Sequence, residues 1–304
     1  MAISACYFDP IGAMLLRSKP KRNGPEIMGK KKTKLDRHLL YSAAVQSVES
    51  DLDFFRRVYK TIRGRHFKLL REDFCGTAAL ACEWVRRRKD HRAWGIDLDR
   101  ATLDWGIDRY FPRLGKASER VTLLCDNVMT AETPPVDVIA ALNFSFCTFK
   151  ERSLLREYFK RVRSSLLPGG LFFIDIFGGT EAIDELEEDR EVDECKAFDG
   201  TEIPDFTYHW EQASFNPINH HILCYIHFEL EDGTMMKRAF KYDWRLWTIP
   251  EIREIMEEAG FESTEVYVEG WDEDEDDSDG VFRRRVQFEN QSGWVAYVVG
   301  VTPE

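Results

Sequence analysis

Apolar residues recur by threes and fours from Leu35 to about Lys60. Leu39, Leu40, Ala43, Ala44, Val45, Leu52, Phe54, Phe55 and Val58 carry the pattern, and the spacing predicts a single helix. After it the period alternates between that of strands and that of helices. Leu69–Phe74, Ala93–Ile96, Val121–Cys125, Val136–Leu142 and Leu171–Phe177 read as strands, with helices over Ala78–Arg88, Thr102–Tyr110 and Ser153–Leu167. The fifth strand is nearly all apolar, as a strand covered on both faces should be. Pro134-Pro135 and Pro168-Gly169-Gly170 mark breaks between elements. Strands alternating with helices at this spacing build βαβ units and a mostly parallel sheet.

Beyond Gly178-Gly179 the pattern changes. Glu181–Glu194 is strongly acidic and reads as an exposed helix or loop. Phe206–Phe215, His221–Leu230 and Met235–Trp244 alternate or run apolar, broken by Asn216-Pro217 and Glu231-Asp232-Gly233, and predict an inserted antiparallel meander. Thr248-Ile249-Pro250-Glu251 has the capping threonine, early proline and early acid of a helix start, and that helix ends at Gly260. Phe261–Val268 and Trp294–Val301 supply the last two strands. The expected fold is α/β: a seven-stranded, mostly parallel Rossmann-like sheet with helices on both faces and an antiparallel β insertion after the fifth strand. Residues 1–34 form a basic tail and 35–304 one domain, with a cover helix at 35–60, the insertion at 199–244 and an acidic loop at 271–281.

Composition narrows the class. With 304 residues, 43% of them hydrophobic, the chain can bury a full core. No apolar run approaches a membrane span, and Ile11–Leu16 is too short for a secretory signal. Seven cysteines (Cys6, Cys75, Cys82, Cys125, Cys147, Cys195, Cys224) are scattered without C-x-x-C spacing, so reduced thiols of a cytoplasmic protein are expected, with neither disulfides nor a metal site. Asp272–Asp279 holds seven acids in eight positions but lacks the glycine-turn spacing of a calcium loop. His220-His221 has no third ligand at metal spacing.

Charge is uneven. Residues 1–70 carry fifteen Lys and Arg against six Asp and Glu, leaving the rest strongly acidic within a net charge of -12. Such a body repels a phosphate backbone, which argues against nucleic acid as the main substrate despite the Lys30-Lys31-Lys32 and Lys34 cluster. Met28 is an alternative start, which would make residues 1–27 dispensable.

The densest chemistry runs from Leu69 to Asp99. Glu72-Asp73-Phe74-Cys75-Gly76-Thr77-Ala78 ends a strand on an acid and opens a helix through a tight turn, and Gly95-Ile96-Asp97-Leu98-Asp99 ends the next strand on another acid. An open α/β sheet builds a nucleoside site this way, at the carboxyl ends of its strands. A dinucleotide site would need G-x-G-x-x-G for two phosphates, and only Gly76 is present.

These residues, with Asp126-Asn127 after the third strand and Leu-Leu-Pro-Gly-Gly before the fifth, resemble class I S-adenosylmethionine-dependent methyltransferases of the small-molecule type. The likeness runs from about Leu35 to Val301. That family's first motif reads acid-x-G-x-G-x-G; here Phe74 and Ala78 replace two glycines. The resemblance implies S-adenosyl-L-methionine as cofactor, contacted by Tyr41, Glu72, Phe74, Cys75, Gly76, Thr77, Asp97, Leu98, Asp126, Asn127 and Asn143. Gly76 admits the methionyl part, Glu72 orients its amine, Asp97 takes the ribose hydroxyls, and Asp126 or Asn127 meets adenine. Tyr41 would fold over the cofactor. Asn143 and Phe144 fall where the family faces its substrate.

On the inserted sheet, Tyr208, His209, Trp210, Trp244, Arg245 and Trp247 are candidates, with Asn143, Tyr208, His209 and Arg245 taken as the catalytic set. Tyr208 and Trp210 should share one face, as should Tyr225 and His227. The implied activity moves a methyl group to an N or O nucleophile of a small molecule, with a second copy of the chain as the other partner considered. The alternatives are a protein or RNA methyltransferase using the basic arm, and a non-catalytic cofactor-binding module.

Overall fold

The fold is that of a computed structural model describing residues 36–272 and 277–304. The expected basic tail, with Met28 and the lysine cluster, lies outside the described residues, as does the centre of the acidic run. Helices α1 (Arg37–Ala44) and α2 (Val48–Arg63) lead into β1 (Leu69–Asp73), α3 (Ala79–Arg87), β2 (Arg92–Asp97), α4 (Arg100–Leu114), β3 (Val121–Cys125), β4 (Val136–Ala141), α5 (Arg152–Ser164) and β5 (Leu166–Gly178). Six strands follow: β6 (Leu186–Val192), β7 (Cys195–Lys196), β8 (Glu202–Ile203), β9 (Phe206–Asn216), β10 (His221–Leu230) and β11 (Met235–Arg245). The chain then forms α6 (Ile249–Glu258), β12 (Ser263–Asp272), β13 (Asp277–Arg284) and β14 (Trp294–Val301).

The main sheet has the order β13-β12-β14-β5-β4-β1-β2-β3. Strands β1 to β5 pair in parallel, β14 is antiparallel to β5, and β12 and β13 add antiparallel at the edge. The order reverses between β1 and β4, which opens a crevice at the carboxyl ends of these strands. The sheet divides the core in two. One cluster joins β4, β5, α1, α5 and α6 to the antiparallel strands; the other joins α2 and α3 to the opposite sheet face.

That division explains the first departure from expectation: 35–60 is two helices rather than one. Leu39, Leu40 and Ala44 of α1 bury in the first cluster, whereas Leu52, Phe54, Phe55 and Val58 of α2 bury in the second. One straight helix cannot face both. Arg190 on β6 bonds the carbonyl of Ala44 and so satisfies the end of α1.

The insertion is also larger than 199–244. Strands β11-β10-β9-β6 form a four-stranded antiparallel lid, so part of the acidic stretch 181–194 is an edge strand. Leu186, Glu188, Arg190 and Val192 are the more buried positions of β6 and alternate with exposed Glu187, Asp189 and Glu191. A two-residue period was hidden beneath the acidity. Likewise the expected acidic loop is flanked by a strand pair, β12–β13, which makes the main sheet eight-stranded. Phe282 anchors the added strand, with its ring 5.6 Å from Phe54 and 4.8 Å from Tyr297.

Candidate active site

The turn after β1 repeats one backbone state at alternate residues. Phe74, Gly76 and Ala78 have φ of 57°, 53° and 61°, the left-handed region that glycine adopts freely and other residues at a cost of about 1–2 kcal/mol. These are the three positions where the resembled motif carries glycine. Asp97, at the end of neighbouring β2, reaches across: its Oδ2 accepts from Gly76 N at 2.8 Å and its Oδ1 from Asp99 N at 2.8 Å. Gly106 lets α4 press against the turn, since a Cβ there would lie 2.1 Å from the carbonyl oxygen of Thr77. Substituents at Phe74 and Cys75 turn away from the crevice. Phe74 packs edge-on to Tyr158, and Cys75 is buried against Gly95, so Cys75 can offer a ligand only its backbone.

Glu72 and Asp73 are adjacent on β1 and point to opposite faces. Asp73 is buried with Arg71, which donates to it at 2.6 Å, and with Tyr158, whose hydroxyl donates at 2.9 Å. Glu72 has no cation among the described residues; it accepts from Ala81 N at 3.1 Å. Burial pushes its carboxyl up to about 8, with the charges of Asp97, Asp51 and Asp73 adding to the shift. A buried acid without a cation, beside a glycine-type turn, suits a ligand that brings a positive charge.

Next to Asp97, Leu98 is 70% exposed, an apolar side chain at the crevice rim. Asp126 N donates to Asp97 O at 3.0 Å, which places Asp126-Asn127 beside the same strand end. Both side chains also cap their own loop: Asp126 Oδ1 accepts from Asn127 N and Asn127 Oδ1 from Met129 N. Above this edge lies α1. Its N-cap Asp36 accepts from Trp105 Nε1 of α4 at 2.9 Å, and the Tyr41 ring lies 4.7 Å from that of Phe240 on the lid.

The other side of the crevice is the end of β4. Asn143 and Phe144 are consecutive left-handed residues, φ 55° and 56°, and both backbone N–H groups donate to Asp175 of β5 at 2.8 and 2.9 Å. Burial pushes Asp175 up to about 7 against those two bonds. The Phe144 ring lies 4.8 Å from Phe177 and 6.2 Å from Trp244, bridging sheet and lid. Tyr208, Trp210, Tyr242 and Trp244 are further inner-face residues of the lid, and Trp210 Nε1 is buried with no hydrogen-bond partner among the described residues.

The sequence candidates therefore divide. Glu72 lies near the end of β1, Gly76 and Thr77 in the turn after it, Asp97 and Leu98 at the end of β2, Asp126 and Asn127 after β3 and Asn143 after β4, while Tyr41 is on α1 and Tyr208 on the inner lid face. His209 does not join them: strand alternation puts it on the outer lid face, where its Nδ1 lies 2.5 Å from Asp189 and its ring opposite His227. Arg245 is committed elsewhere, stacked 3.7 Å over Trp247 and bonded to Lys150 O and Glu251. Asp175 was missed. The available signal was a lone acid within Phe172-Phe173-Ile174-Asp175-Ile176-Phe177, where an uncompensated carboxylate is costly.

No protein-family profile and no curated protein matches the chain. Among solved structures it is similar to an S-adenosylmethionine-dependent methyltransferase from Clostridium acetobutylicum ATCC 824, with TM-score 0.58 and 18% identity over 86% of this chain and 96% of that one. An amino pentose methyltransferase from Micromonospora echinaspora, solved with S-adenosylmethionine, aligns with TM-score 0.58 and 14% identity over 88% and 99%. A sugar N-methyltransferase from Streptoalloteichus sp ATCC 53650 aligns with TM-score 0.56 and 15% identity over 94% and 100%. The chain has the fold of class I S-adenosylmethionine-dependent methyltransferases, elaborated by an antiparallel lid.

Proposed function

We propose that the protein is an S-adenosyl-L-methionine-dependent methyltransferase acting on an N or O nucleophile of a small molecule. The observation that carries this reading is the bond from Gly76 N to the Asp97 carboxylate, made within a turn left-handed at residues 74, 76 and 78. The residues fit the cofactor group by group. Gly76 leaves room, since a Cβ there would meet only Thr102 Cγ2 at 4.0 Å. The N-terminus of α3 favours a carboxylate, Glu72 an ammonium, and Asp97 a pair of ribose hydroxyls. Leu98 and the Asp126-Asn127 loop suit the adenine.

S-adenosylmethionine supplies an electrophilic methyl group on a sulfonium. The protein's part is to hold an acceptor in line with it and to exclude water. Asn143 and Phe144 would line the acceptor side, with Tyr208, Trp210 and Trp244 above; aromatic faces attract the cationic sulfonium, and Trp210 Nε1 offers a donor to an acceptor oxygen. Links from α1 to the lid, including Arg37 to Ala239 O and the Tyr41 ring against Phe240, support a covered crevice and hence a small acceptor rather than a polymer. That the similar structures include an amino pentose methyltransferase and a sugar N-methyltransferase supports the same class. Among the described residues no helix is long and apolar enough to cross a membrane, and the free cysteines Cys75, Cys82, Cys125, Cys147, Cys195 and Cys224 suit the reducing cytoplasm.

The test incubates purified protein with methyl-labelled cofactor and a cell extract split into low-molecular-weight and macromolecular fractions. Label should enter the first. Label confined to protein or RNA would overturn the small-molecule reading. Cofactor binding without label transfer to either fraction would favour the non-catalytic module.

A further inference from the structure

We infer that Asp175 is the positioning residue of the acceptor half of the site, its two carboxylate oxygens holding the Asn143–Phe144 turn in the backbone state that presents these residues to the methyl acceptor. The inference rests on the methyltransferase reading above and deepens it.

Two consecutive left-handed residues without a glycine are strained, and such backbone persists only where its surroundings hold it. Ser145 closes the turn by donating from its N and Oγ to Leu142 O, but both strained N–H groups are held by one side chain. Asp175 Oδ2 accepts from Asn143 N and Oδ1 from Phe144 N, so each strained residue is tied by its own oxygen. The register fixes the reach: Ala141, the last residue of β4, pairs with Ile174 of β5, which puts Asp175 one step beyond, level with the turn.

Only a carboxylate satisfies both donors. An asparagine would offer one carbonyl oxygen and set its amide N–H₂ against the second N–H. Asp175 lies between Ile174 and Ile176, and no Lys or Arg pairs with it among the described residues. The titratable groups that interact with it are Asp51 of α2, Tyr41 of α1 and Cys147 of the turn after β4; none supplies a positive charge. A buried carboxyl group without a cation is an expensive tie for a turn that had no special task. The same arrangement recurs at the cofactor end, where Asp97 of β2 reaches one strand over to hold Gly76 after β1. In both places the adjacent strand supplies an acid that pins a left-handed turn at the crevice.

The experiment compares wild type with Asp175→Asn in three measurements. These are calorimetric binding of S-adenosylhomocysteine, steady-state transfer from labelled S-adenosylmethionine to a low-molecular-weight extract, and amide hydrogen exchange at residues 143 and 144. Expected are unchanged S-adenosylhomocysteine affinity, an unchanged KM for the cofactor, a kcat lower by about a hundredfold, and faster exchange at both amides in the variant. If Asp175→Asn does not fold, Asp175→Glu replaces it, because it keeps the charge and displaces both oxygens. An unchanged kcat, a change confined to KM for the cofactor, or amides that stay equally protected would overturn the assignment. Absence of S-adenosylhomocysteine binding and of transfer in wild type would instead overturn the methyltransferase reading, and the acceptor role with it.

Discussion

The two ends of the crevice use related devices with different visibility. At β1–β2 the carboxylate of Asp97 holds Gly76, and the acid, the glycine and the helix start are contiguous enough to read as a motif. At β4–β5 the carboxylate of Asp175 holds Asn143 and Phe144, but no glycine marks the turn and the acid lies 32 residues away from its first partner. Under the proposed function the cofactor end would bind an invariant molecule, so its residue types would recur. The acceptor end would have to suit one particular substrate, so its turn could be built from whatever side chains that substrate needs. The backbone geometry is similar in kind; the letters are not.

A second contrast lies within the cofactor end, between neighbours Glu72 and Asp73. Asp73 is paired with Arg71 and Tyr158 and holds the fold together; Glu72 has no cation among the described residues. The sharpest way to break that contrast is Arg71→Ala, which strands Asp73 in the interior and should cost about 3–5 kcal/mol, read from denaturant unfolding. A loss below about 1 kcal/mol would mean that the pair is not structural.

Glu72→Gln should do the opposite. Burial lifts Glu72 to about 8, so between the ordinary carboxylate range and pH 8 the folded chain binds a proton that the unfolded chain has released. Stability from this group therefore falls as pH rises through that window. The Gln variant should melt higher than wild type at about pH 8, by an amount on the order of a few kcal/mol, and show a flatter melting profile from about pH 5 to 8. Its affinity for S-adenosylhomocysteine should fall. Higher stability with intact binding would separate Glu72 from the cofactor.

Gly76→Ala tests the turn itself. The left-handed backbone should cost the variant about 1–2 kcal/mol of stability, while the new methyl projects toward the cofactor side and weakens binding by more than that strain accounts for. Equal effects on both would place the methyl away from the ligand. The smallest effect is expected for His209→Ala: placed on the outer lid face beside Asp189, it should leave cofactor binding and transfer rates unchanged. A large loss of transfer would bring the outer face into the mechanism.

Much of the main sheet and of the lid was legible because hydrophobic period is a local property. Val121–Cys125, His221–Leu230 and Trp294–Val301 coincide with strands β3, β10 and β14. What escaped was set by contacts distant in sequence. The break between α1 and α2 follows from which core each helix buries in, and β6 and β13 are strands because lid and sheet edge accept them despite their acids. In the site, Asp97 and Gly76 could be read from adjacent strand ends, whereas the face of His209 depended on strand register and the partners of Asp175 on which strands adjoin.

The most direct test of the central claim is calorimetric titration of S-adenosylhomocysteine into wild type and Asp97→Ala. Asp97 touches both the turn and the expected ribose, so the variant should bind more weakly by about one to two orders of magnitude, as loss of a charged hydrogen-bonding group predicts, while wild type binds one equivalent. No heat of binding in wild type, or equal affinity in both proteins, would contradict the account.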